Sequence, residues 1–164
     1  MRRALAAAAL MLAAAAALAG RGAGGPPAAV GARELAREIL DRRPGLVVVD
    51  LRAPAAFVDD ALPLARNDLP AGPAANGEAV VLYGGDRARI AAAVDALSRR
   101  GVRDVRTLAG GVEAWREEVL SPVLPADART PAQTELADLS AYFGGAPRTD
   151  GGASSPPPAR RRGC

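Results

Sequence analysis

Apolar positions along the chain follow two periods, and the periods alternate. From Ala32 to Arg43, Leu35, Ile39 and Leu40 fall on one face of a 3.6-residue repeat, and Pro44-Gly45 closes it, which predicts a helix. Leu46 to Val49 is a short continuous apolar run, the pattern of a strand buried on both faces. Ala79 to Tyr83 is a second such run, ended by Gly84-Gly85. Arg89 to Arg100 returns to the helical period, with Ile90, Ala93, Val94 and Leu97 as its buried stripe and Gly101 just past its end. Val102 to Leu108 predicts a third strand, followed by Gly110-Gly111 and a helix carrying Val112, Trp115 and Val119. Strand–helix alternation at this spacing predicts an α/β sandwich around a parallel sheet, the class in which ligands gather at the carboxyl ends of the strands.

The ends read differently from this body, which spans residues 30–122. Arg2 and Arg3 precede an unbroken apolar run from Ala4 to Ala19, and Ala17-Leu18-Ala19 before Gly20 is a small-x-small cleavage pattern. Residues 1–19 are therefore expected to be a signal peptide or an N-terminal anchor. That places the protein outside the cytoplasm, periplasmic or secreted, or held at a membrane by an uncleaved segment. Residues 20–29 are Gly- and Pro-rich and are expected to be a flexible tether. Residues 123–145 read as an extension with a short helix: Thr130 is a candidate N-cap, Pro131 suits the first helical position, and Gly144-Gly145 a stop. Residues 146–164, with three consecutive prolines and an Arg triplet, are expected to be a disordered tail ending in Cys164.

Composition narrows the chemistry. Of 164 residues, 49% are hydrophobic but only 3% aromatic, so the core must be built from Ala, Val and Leu. There is no His and no Lys, which excludes a histidine general base, a histidine-ligated metal and a lysine Schiff base. One Cys permits neither an internal disulfide nor an all-cysteine zinc site, and no metal or other cofactor is assigned. The formal charge of +3 comes from the termini: without Arg2, Arg3, Arg160, Arg161 and Arg162, 16 arginines face 18 acids. Such a body presents no basic face for nucleic acid. Arg99, Arg100, Arg103 and Arg106, with Asp104 among them, read as a solvated surface.

Two strand ends carry candidate chemistry. Asp50 and Arg52 follow the first buried strand, as an ion pair or turn-former. Gly84, Gly85, Asp86, Arg87, Ala88 and Arg89 link the second strand to a helix, where backbone N–H groups and a helix dipole can make an anion site; a Gly-Gly here also suits a plain tight turn. Trp115 reads as a core anchor.

The order of these motifs resembles the rhodanese-like (sulfurtransferase) family over residues 30–120. The resemblance rests on the entry helix, Asp50-x-Arg52, the loop after a Tyr-ended strand, and above all Leu108-x-Gly110-Gly111-x-x-x-Trp115. It implies a parallel sheet of about five strands flanked by helices, and an active-site loop whose amides hold a persulfide or oxyanion. In that family the residue after the Tyr-ended strand is the sulfur-carrying Cys, which the resemblance maps to Gly84, and a loop Arg, which it maps to Arg89. No Ser, Thr or Cys stands within the loop, and the family's Gly-His-Ile is replaced near Asp59-Asp60-Ala61-Leu62. Sulfur transfer through such a loop needs a thiolate.

Three functions are consistent with this. The first is an exported, catalytically silent rhodanese-like module binding a small sulfur-containing anion or a partner protein. The second is a sulfur-transfer protein whose persulfide carrier is Cys164 on its swinging tail. The third is a structural or assembly protein whose chains join by a disulfide through Cys164.

Overall fold

A computed structural model describes residues 26–127 and 130–149. Five parallel strands form the sheet: β1 (Ala28–Val30), β2 (Leu46–Asp50), β3 (Ala65–Arg66), β4 (Ala79–Tyr83) and β5 (Asp104–Leu108). They are ordered β1-β5-β4-β2-β3, which puts the most apolar strand, β4, at the centre. All five of its residues are buried, as a continuous apolar run requires when both faces are covered.

The two-residue period of the strands divides the core. Val48, Val81 and Tyr83 point to one face, where α1 (Ala32–Leu40), α4 (Gly111–Trp115) and α5 (Pro131–Tyr142) contribute Leu35, Ala36, Ile39, Trp115, Leu136 and Leu139. Val49, Val80 and Leu82 point to the other, covered by Ala93 and Leu97 of α3 (Arg87–Arg99). A short α2 (Pro54–Asp59) follows β2 and buries no residue. Trp115 is buried as expected and meets Phe143 edge-on, ring centroids 5.0 Å apart.

Gly110 lies at φ 67°, and a Cβ there would stand 2.6 Å from that of Ala114. This is why glycine stands at position 110, the N-cap of α4. Beyond Trp115 the expected single helix widens into a π turn, Arg116–Leu120, in which the Ser121 N–H reaches the Arg116 carbonyl at 2.8 Å.

Four expectations are corrected. β1 begins at Ala28, inside the stretch read as tether, because the open edge of β5 pairs with it from Ala28↔Arg106 to Val30↔Leu108. At the other end, β7 (Arg148–Thr149) lies within the stretch read as tail and pairs with β6 (Val123–Leu124). Leu40, placed on the buried face of α1, is 40% exposed at the helix's last position. Arg100 and Arg106 are not solvated: Arg106 makes a two-pronged pair with Glu38 at 2.8 Å for both bonds, and Arg100 pairs with Glu78 at 3.3 Å. Residues 1–19 and Cys164 lie outside the described residues. Among those described, no helix is long and apolar enough to cross a membrane.

Candidate functional site

The carboxyl ends of β2 and β4 place both candidate segments side by side. Asp50 and Tyr83 are directly opposed in the β2–β4 register, so Asp50-x-Arg52 and the Gly84–Arg89 loop emerge together. The Leu51 N–H continues the pairing to the Tyr83 carbonyl at 2.8 Å.

Asp50 is fully buried and serves as the anchor. Its carboxylate accepts from the Arg52 backbone N–H at 2.8 Å, from Arg52 Nε at 3.0 Å and from Arg52 Nη2 at 2.7 Å. Burial alone pushes the Asp50 carboxyl up, but these bonds from Arg52 prevail and hold it below the ordinary carboxylate range. The Arg52 guanidinium also donates to the Asp60 carbonyl at 2.5 Å and lies 5.6 Å from the Tyr83 ring centroid. Burial pushes the Tyr83 hydroxyl up to about 12, the Asp50 charge adding to it and the hydrogen bond from the Leu62 N–H, 3.1 Å, working against it.

Gly84 turns the chain at φ 78°, a conformation that side chains other than glycine's disfavour. A Cβ there would stand 2.5 Å from Cγ and 3.0 Å from Cδ of Arg52, and 3.0 Å from Oδ1 of Asp50. The aliphatic stem of Arg52 thus lies where a side chain at position 84 would begin. Beyond it, Asp86 caps α3 by accepting from the Arg89 N–H at 2.7 Å. The helix starts at Arg87 rather than Arg89 for that reason. Arg89 folds its guanidinium back onto the Leu51 carbonyl at 2.8 Å. Arg87 is exposed, and beside it a hollow of about 690 Å³ runs along α3, lined by Ile90, Ala91, Val94, Asp95 and Thr107 together with Pro26 and Pro27.

The structure therefore brings together Asp50, Arg52, Gly84, Gly85, Asp86, Arg87, Ala88 and Arg89, which the sequence reading assigned to two separate strand ends. It adds four residues that the reading did not link to the site. Asn67 Nδ2 ties the carbonyls of Asp50 and Arg52, at 2.9 and 3.0 Å; Leu62 holds Tyr83; Asp60 accepts from Arg52 and also pairs with Arg116. Asp60, Leu62 and Asn67 lie in the stretch between β2 and β4 and Arg116 beyond β5, and no local period marks them. Among the described residues no cluster of three or more acidic or cysteine side chains could hold a metal.

An α/β domain with a glycine turn and a capped helix at the carboxyl ends of its central strands defines the class. The family model described as the rhodanese-like domain matches residues 32–118, more than half of the chain. This chain belongs to the rhodanese-like domain family. Among solved structures, it is similar to the crystal structure of the Alr3790 protein from Anabaena sp., at 21% identity and a TM-score of 0.45, over 53% of this chain and 75% of that one. Comparison with curated proteins finds no match.

Proposed function

We propose that this rhodanese-like domain is an exported module that binds a partner protein at the carboxyl ends of β2 and β4 and does not transfer sulfur through its loop. The observation that carries the reading is the contact at Gly84: the position the resemblance gives to the nucleophile has a left-handed backbone, and Arg52 lies where its Cβ would start. A partner protein is favoured over a free small anion because α3's first-turn amide at Arg89 is already taken by Asp86, and Arg89 by the Leu51 carbonyl. Arg87 stands exposed beside an apolar hollow, which suits a segment with an acidic group ahead of apolar ones. Export rests on Arg2, Arg3 and the apolar run from Ala4 to Ala19.

The test is thiocyanate formation from thiosulfate and cyanide by the reduced protein and its Cys164→Ser variant. Neither is expected to exceed a free-thiol control. A rate present in the wild type and lost in the variant would replace this reading with that of a tail-borne sulfur carrier. One retained in Cys164→Ser would place catalysis in the domain itself, against the proposal.

A further inference from the structure

On the layer opposite α3, the surface between α1, α5 and the segment before β3 exposes apolar side chains that no other part of the described chain covers. Leu64 is 74% exposed, Tyr142 61% and Leu40 40%. Only five residues of the chain are aromatic, so an exposed Tyr is a costly use of one. Its ring is also held in place: Tyr142 meets Phe143 edge-on at 5.0 Å, and Phe143 in turn meets the buried Trp115. Leu64 carries a backbone φ of 62°, strained for a branched side chain and not offset by packing within the described residues.

Tyr142 forms a ridge shared by two hollows, one of about 640 Å³ reached by Leu40 and Asp138, the other of about 700 Å³ reached by Leu64 and Arg42. Arg42 and Asp138 are exposed, and neither has an ion-pair partner among the described residues. One unpaired cation and one unpaired anion therefore flank the aromatic anchor, an arrangement that a two-fold axis between Tyr142 and the Leu64 hollow would turn into two equivalent ion pairs.

We propose that this face is the interface of a symmetric homodimer, in which Tyr142 of each copy enters the hollow beside Leu64 of the other and Arg42 of each copy meets Asp138 of the other. Sedimentation velocity of the full chain, run in reductant so that Cys164 cannot link copies, tests it up to about 100 μM. The wild type should show a reversible dimer. Tyr142→Ala should weaken it about tenfold or more, the effect of removing an anchor. Leu64→Gly should weaken it likewise without lowering the melting temperature measured at dilution, where both proteins are monomers, since glycine accepts this φ; that separates loss of contact from loss of fold. Arg42→Glu and Asp138→Arg should each weaken association, and the double reversal should recover it. A wild type that stays monomeric overturns the proposal. So does a dimer indifferent to these substitutions, and so do single charge reversals that the double variant fails to rescue.

Discussion

Arg52 decides the state of Asp50. With the arginine in place, the folded-state carboxyl lies below its unfolded value, so the pair's contribution is present at neutral pH and is lost as pH falls through the folded value. Without the arginine side chain, burial would push Asp50 up against only the smaller opposing effects of the position-52 backbone N–H and the Tyr83 hydroxyl. Arg52→Ala should then cost about 3 kcal/mol at pH 7, because a buried carboxylate loses its partner. The deficit should shrink as pH falls toward 4, because in the variant, with burial pushing Asp50 up, the carboxyl can fold protonated. Urea unfolding at the two pH values measures this, and a deficit equal at both would mean that Arg52 acts through packing on Tyr83 and the Asp60 carbonyl instead. That Asp50 and Arg52 pair was legible from their two-residue spacing at a strand end. That the same arginine stem would occupy the space above Gly84 was not, because it depends on which strand lies beside β2 and in what register.

At the scale of elements, local signals set starts well and ends less well. The Thr130–Gln133 capping box and Pro131 start α5 where the sequence put it, with Thr130 and Gln133 bonding each other's backbone N–H at 3.3 and 2.9 Å. Thr130→Ala should therefore cost about 1 kcal/mol in denaturant unfolding. A loss near zero would show that Leu136 and Leu139, packed on the core, hold α5 without its cap. Asp86 is an equally local cap for α3, and its bond from the Arg89 N–H moves the start from the expected Arg89 to Arg87. β1 could not be read locally, since two alanines in a Pro/Gly-rich stretch have little strand preference; the free edge of β5 recruits them. The exposed end of α1 is similar: Leu40 fits the helical stripe, but the chain turns away at Arg42, whose φ is 52°.

Across the whole molecule, buried ionisable groups bound the pH range of stability. Glu38 is held below the ordinary carboxylate range, first by its hydrogen bonds from Arg106 and further by Arg43, so it acts with Asp50 on the acid side. Tyr83 acts on the alkaline side: its folded value is raised from 10 to about 12, so its contribution is intact below pH 10 and is lost between 10 and 12. Melting temperatures should thus hold near neutrality, fall below about pH 4 and fall again above pH 10. Tyr83→Phe should flatten the alkaline arm, and an unchanged arm in that variant would remove Tyr83 from its cause. By itself the sequence determined the α/β alternation, the buried strand Ala79–Tyr83, the two strand-end motifs as separate candidates and the absence of a thiol within the loop. Each of these follows from residue type or from a period of two or 3.6 read over a few neighbours. The tertiary structure alone decided that Arg52 fills the space at Gly84, that Leu62 and Asn67 brace the site, that Arg106 is sequestered by Glu38, and that Tyr142 stands between two hollows. Those depend on side chains from segments that only folding brings together, and no local pattern in the chain records which segments will meet.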